Sequence, residues 1–237
     1  MLNYFESHTQ YQEAFLTKSK CYNDCYLQYK KDLKEYFMKL KMPKVLEIWS
    51  WMWKFAYFCD KIWVKDYTWI DIDDYFFDEN KKDFPHYLFI KTKFQEYLKD
   101  HQNKYDVIFV SHVFEHLDEK ERGEMIRDIY SWLKNGWIRI NYMPNADSAL
   151  RVWTWRRNDI THKTIYTENS FSQVIKSINN NFIIKNVNTY VWVKSIFRRF
   201  IHMLFLFFSK IYYLWMWYPF PKIYTFEMLS VLTKKCR

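Results

Sequence analysis

VLEIWSWMWKF, residues 45–55, decides how this chain is to be read. Val45, Leu46 and Ile48 form a short apolar run of the kind that makes a buried strand, and Met52–Ile62 has helical patterning. Between them stand Trp49, Trp51 and Trp53, at alternate positions of a strand-to-helix turn. Such a turn needs residues that accept positive φ and let a ligand approach the backbone, and indoles do neither. The composition carries the same signal. The 237 residues include 2 Gly and 12 Trp, whereas average usage gives about 17 Gly in this length. Taken together, the two residue types come near an ordinary glycine content. With glycine at 49, 51 and 53 the stretch reads VLEIGSGMGKF, a strand, then G-x-G-x-G, then a helix.

Outward from this turn, short apolar runs alternate with helical segments. Strands are expected at Val45–Ile48, Tyr67–Ile72, Tyr87–Ile90, Tyr105–Ser111 and Trp137–Tyr142, with a helix over Glu119–Leu133. This alternation implies an α/β fold with parallel pairing through right-handed crossovers. A long loop, Met143 to about Tyr166, precedes a helix near Glu168–Ile178, a sixth strand near Phe182–Val193 and a seventh strand at Ile223–Thr233. The expected organisation is a helical extension over 1–42, a core over 43–194, an apolar and basic helical segment over 195–222, and a final strand over 223–237 that completes the core.

The Val45–Phe55 stretch resembles motif I of the class I methyltransferases that use S-adenosylmethionine (SAM), and the resemblance extends over about residues 44–193. It implies a Rossmann-like, seven-stranded, mostly parallel sheet with helices on both faces, with SAM as cofactor. Three further tryptophans fall on glycine positions of that family: Trp63 at the end of the first helix, Trp69 in YTWIDID and Trp137 after Gly136. The coincidence suggests a stop codon read as glycine and written as tryptophan. The alternative is a real Trp-rich homologue that cannot take up the cofactor.

The resemblance also proposes a site. Glu47 is the acid of motif I, which helps organise the methionine end of SAM. Trp49, Trp51 and Trp53 occupy its glycine positions. Asp71 and Ile72 end the second strand, where an acid grips the ribose hydroxyls, and a carboxylate accepts two such bonds well. Phe94 is placed against adenine, although Lys93 stands where the family usually has an acid. SHVFEHLD (Ser111–Asp118) resembles motif IV and puts Ser111 and His112 at a strand's carboxyl end, where open α/β sheets bind ligands. His112, His116 and His162 are the candidate bases for the proton that an acceptor hydroxyl must lose. The loop MPNADSALRVWTWRRNDITHKTIYT (Met143–Thr167) resembles a subgroup that accompanies surface polysaccharide and glycolipid pathways. In it, Lys163 replaces the usual acid after His162. Arg151, Arg156 and Arg157 are candidates to hold a phosphate or uronate by forked hydrogen bonds.

The formal net charge of +9 favours an acidic partner. Ser195–Tyr218 is apolar and aromatic but interrupted by Arg198, Arg199, His202 and Lys210. It suits a helix lying in a membrane interface better than one that spans it. The polar start of the chain shows no signal peptide, so a cytoplasmic enzyme is expected, at the inner face of the membrane if this segment docks there. Cys21, Cys25, Cys59 and Cys236 form no C-x-x-C pair and read as free thiols. No histidine cluster is visible, and no metal is expected. The pattern lacks an Asn/Asp-Pro-Pro-aromatic stretch, so no nucleic-acid partner is expected. The expected activity is SAM-dependent O-methylation of a sugar or glycolipid hydroxyl. The alternatives are methylation of a quinone or other lipid-like molecule, or a cofactor-free Rossmann scaffold if the motif I tryptophans are real.

Overall fold

A computed structural model describes residues 18–48, 54–72, 77–97, 102–148, 161–190 and 196–236. The described strands are β1 (Lys44–Ile48), β2 (Asp66–Asp71), β3 (Leu88–Lys91), β4 (Tyr105–Ser111), β5 (Leu133–Pro144), β6 (Phe182–Asn188) and β7 (Glu227–Lys234). They form one sheet in the order β3-β2-β1-β4-β5-β7-β6. Neighbours from β3 to β5 are parallel, whereas β7 runs antiparallel to both β5 and β6. The seven-stranded, mostly parallel, Rossmann-like sheet is therefore as expected. The strand order reverses direction between β1 and β4, and ligands of open α/β sheets bind at such a switch point.

Side chains alternate across the sheet and build a core on each face. On one face Leu46, Ile48, Ile108 and Val110 meet α5 (Glu119–Trp132) through Met125, Ile126 and Ile129, and α6 (Glu168–Ile178) through Phe171 and Ile175. On the other, Val45, Val107 and Phe109 meet Tyr29, Leu33 and Phe37 of α1 (Lys18–Phe37) and Phe55 and Phe58 of α2 (Lys54–Lys61). The Phe55 and Phe109 rings stack with centroids 3.6 Å apart. β4 is buried along its whole length, which explains why its apolar run is the clearest in the sequence. Asp118 and Thr167 close capping boxes at the starts of α5 and α6, fixing both helices from local sequence.

Some boundaries differ from expectation. β5 begins at Leu133, because Tyr105 pairs with Leu133 and a register shift follows before Val107 pairs with Ile138. β6 ends at Asn188, where the Asn188 carboxamide turns to bind the backbone of Tyr224 and Thr225. Two short helices, α3 (Phe77–Asp83) and α4 (Phe94–Tyr97), were not expected as separate elements. They are too short for periodicity to reveal.

Two helices end in the same way. At the end of α2, Val64 N–H donates to the Cys59 carbonyl (3.0 Å) and Trp63 N–H to that of Asp60 (3.1 Å). At the end of α7 (Ile196–Trp215), Tyr218 N–H donates to Tyr213 (3.0 Å) and Trp217 N–H to Leu214 (3.1 Å). Both are Schellman motifs, whose left-handed position glycine normally fills. Here Trp63 (φ 62°) and Trp217 (φ 58°) fill it, and their side chains are 85% and 95% exposed. A left-handed residue with a Cβ costs about 1–2 kcal/mol, and such exposed indoles recover little by packing. Trp63→Gly and Trp217→Gly are each expected to raise stability by about 1 kcal/mol. The reading is a higher urea midpoint at unchanged slope, and a lowered midpoint in both variants would show that the indoles belong there.

Candidate active site

The carboxyl ends of β1, β2 and β4 lie on one edge of the sheet. Ile48 pairs with Ile70 and with Val110, so Asp71 and Ser111 each stand one residue beyond it, on either side. Asp71 and Ser111 are both buried there. A small depression opens beside Asp71, lined by Ile48, Ile70, Asp71, Ile72, Thr92 and Phe94. Thr92 N–H donates to the Asp71 carbonyl (2.7 Å) and so ties β3 to the end of β2. The wall is apolar except for one carboxylate and one hydroxyl, a chemistry that suits a nucleoside, with a flat base and two ribose hydroxyls. Glu47 is buried within β1 and accepts a hydrogen bond from the Tyr67 hydroxyl of β2. Trp69, one of the expected glycine positions, is buried between Phe77 and Phe89, and its indole N–H has no hydrogen-bond partner.

His112 follows β4 directly in the left-handed conformation (φ 53°), which turns the chain sharply over the strand end. Its Nδ1 lies 3.1 Å from Glu115 Oε1 and its Nε2 lies 3.2 Å from Glu227 Oε1. Burial alone pushes this imidazole down, but the hydrogen bonds with Glu115 and Glu227 outweigh burial and lift it to about 10. Burial likewise raises Glu227, and the His112 bond and charge more than reverse that. Both ring nitrogens of His112 thus face carboxyl groups, one from the turn after β4 and one from β7. Glu227 escaped the sequence reading. Its signal is no more than an acid at the start of the last strand, EMLSVLTK.

His116 and His162 come together. Their ring centroids are 4.7 Å apart at 60°, and His116 Nδ1 is 2.8 Å from the Thr161 hydroxyl. Glu115 completes the group, with ligand atoms of Glu115, His116 and His162 all within 4.8 Å of one another. Backbone bonds hold His162 in place: Lys163 and Thr164 N–H donate to the Glu115 carbonyl (2.7 and 3.2 Å), and Ala146 N–H to Tyr166 (2.8 Å). The sequence shows no histidine cluster, and the fold assembles one by returning the long loop onto the turn after β4. Asp118, rather than His116 or Glu115, caps α5. Trp49, Trp51, Trp53, Arg151, Arg156 and Arg157 lie outside the described residues.

Beyond the same edge of the sheet, α7 leans over the residues that follow β5 and precede β7. His202, Phe205, Leu206, Ser209 and Tyr213 recur at helical spacing along its inner side. With Asp147, Ser148, Phe220, Tyr224 and Thr225 they line a shallow cleft. The other sides of α7 expose Phe200, Met203, Leu204, Phe207, Phe208, Ile211, Leu214 and Trp215. Among the described residues, no helix is long and apolar enough to cross a membrane.

Comparison with known proteins agrees with this geometry. The family described as "Methyltransferase domain" matches residues 53–182, more than half of the chain. A SAM-dependent methyltransferase from Archaeoglobus fulgidus superposes with a TM-score of 0.62 at 19% identity, covering 89% of this chain and 94% of its own. The plantazolicin methyltransferase BpumL, solved with SAH, superposes with a TM-score of 0.64 at 15% identity, over 99% of this chain and 91% of its own. A SAM-dependent methyltransferase from Thermotoga maritima, described as a possible histamine N-methyltransferase, gives 0.60 at 14% identity, over 96% and 95%. No curated protein sequence matches the chain.

Proposed function

This chain belongs to the methyltransferase-domain family and is a class I SAM-dependent methyltransferase, and from that premise we propose that it methylates a hydroxyl of a sugar or glycolipid in surface polysaccharide biosynthesis. SAM, when bound, supplies a methyl group made electrophilic by its sulfonium. In this reading Asp71 binds the ribose hydroxyls, Ile72 and Phe94 flank adenine, and Glu47, Ser111 and His112 organise the methionine end. The cluster of Glu115, His116 and His162 faces the acceptor and manages the proton that its hydroxyl gives up. Arg151, Arg156 and Arg157 hold acidic groups of the acceptor. Because SAM is already activated, holding the acceptor oxygen in line with the methyl supplies much of the rate.

The observation that carries this reading is the cleft under α7. Its wall is aromatic with a few polar groups, which suits an amphiphilic acceptor. The helix that forms it carries a continuous exposed apolar surface, far more than scattered surface residues require. Such a helix rests in a membrane interface, with Lys210 near lipid phosphates. An acceptor on a lipid anchor then reaches the cleft from the membrane side. The same wall accommodates a quinone precursor, the second reading.

The test uses the enzyme with glycine at 49, 51 and 53. It is given SAM with a glycolipid in anionic vesicles, with the matching water-soluble sugar, or with a hydroxylated quinone precursor. The expected result is methyl ether formation on the glycolipid, by mass spectrometry, with SAH released in equal amount. The rate should be about 10-fold above that on the soluble sugar, as membrane binding concentrates enzyme and acceptor. Transfer to the quinone precursor alone would establish the second reading. Transfer to no hydroxyl, with SAM demonstrably bound, overturns both.

A further inference from the structure

We propose that Glu115, His116 and His162 form a binding site for a first-row divalent metal ion at the acceptor end of the active site. The three side chains offer two imidazoles and one carboxylate, with their ligand atoms within 4.8 Å of one another. That donor set suits first-row divalent cations, and in other proteins it leaves coordination positions open for substrate. The residues come from two separate places, the turn after β4 and the end of the long loop, so helical spacing alone does not account for their meeting.

Two further observations point to a cation. Glu115 is 0% exposed, and its Oε2 has no hydrogen-bond partner, a costly state for a carboxylate oxygen that coordination relieves. Around it, Glu115 and Glu227 both face a single imidazole, that of His112. The ligands are oriented as metal ligands usually are, by groups behind them. Thr161 Oγ1 holds His116 Nδ1 at 2.8 Å, which assigns Nε2 of that ring to the metal, and His112 Nδ1 holds Glu115 Oε1 at 3.1 Å, which assigns Oε2. Backbone bonds from Lys163 and Thr164 to Glu115 fix His162 relative to the other two.

The site stands on this geometry, and only its role rests on the hydroxyl-acceptor reading. A cation here polarises the acceptor hydroxyl and lowers its pKa, as cations do for bound water. The hydroxyl proton then leaves to solvent, the oxygen pair forms the bond to the methyl carbon, and the carbon–sulfur pair returns to sulfur. His116 and His162 act in this scheme as ligands, and no free imidazole is needed as base.

The full chain is titrated with Co²⁺ and followed by visible absorption and calorimetry, with Zn²⁺ as competitor. The expected result is one Co²⁺ per chain, a visible band typical of mixed nitrogen and oxygen ligands, and displacement by Zn²⁺. His162→Gln is expected to weaken binding well over 100-fold, beyond the 10–100-fold loss typical of outer-shell changes. That variant lies in a loop, and circular dichroism checks its fold. Glu115→Gln serves as the second variant. No stoichiometric Co²⁺ binding, or equal binding by both folded variants, overturns the site. Metal binding without methyl transfer to any hydroxyl overturns the acceptor reading and leaves the site standing. Full methyl transfer by chelator-treated, metal-free enzyme overturns the catalytic role of the metal.

Discussion

Glycine at 49, 51 and 53 together is expected to turn a chain with no measurable affinity for SAM into one that binds it in the micromolar range. That gain is about 1000-fold or more, on the order of 4 kcal/mol. In a loop of this type the first glycine makes the turn, the second admits the ligand to the backbone and the third lets the helix pack on the strand. In a loop of this type, indoles at all three positions would fill the space meant for the ligand. Calorimetry with SAM and SAH, on the written chain and the triple variant side by side, reads the difference. Equal affinity in the two proteins would remove the argument from motif I, and binding by neither, with both folded, would return the chain to the scaffold reading. The backbone supplies independent support from elsewhere in the molecule: Trp63 and Trp217 hold the left-handed position of two Schellman motifs. If the source reads one codon as glycine, mass spectrometry of the native protein will show glycine at 49, 51, 53, 63, 69, 137 and 217.

Asp71→Ala is expected to weaken SAM binding about 100-fold while leaving the fold intact. A carboxylate that accepts from two ribose hydroxyls makes two charge-assisted bonds, each worth about 1.5–3 kcal/mol. The link from Thr92 N–H to residue 71 uses the main-chain carbonyl, so it survives the substitution. Asp71→Asn keeps one acceptor oxygen and should fall between, near a 10-fold loss. At saturating SAM the rate should change little in either variant, because the ribose lies away from the methyl. An unchanged dissociation constant for the alanine variant, in the glycine-bearing protein, would remove Asp71 from the ribose site.

The fold was legible wherever signals are local. Tyr105–Ser111 and Glu168–Ile178 match β4 and α6 at both ends, one as a fully buried apolar run and the other behind a capping box. For the candidate site, what was legible is position at a strand end, as at Asp71 on β2 and in Ser111–His116 after β4. Long-range meetings were not. His162 was visible as a candidate, but nothing in its neighbourhood says that it meets His116. Glu227 grips His112 across the strand that the chain lays down last, and an isolated acid gives no hint of that partner. Trp63 followed an ordinary helix and stood out as a misplaced stop. Trp217 ends a segment so rich in aromatics that only its backbone angle exposes it.

The bonds that return the long loop to the site are made by main-chain atoms. Lys163 and Thr164 bind Glu115, and Ala146 binds Tyr166, through N–H and carbonyl groups that any non-proline side chain leaves in place. The stretch over 149–160 runs between these two anchors, and it contains the arginines proposed to read the acceptor. Descendants of such a protein can therefore exchange that stretch, or change its length, without moving His162 away from His116. Loop closure penalises added length only weakly. On the proposed roles, reaction chemistry and acceptor choice are separable traits, and related enzymes should diverge fastest between the anchors while retaining the cluster that the anchors hold.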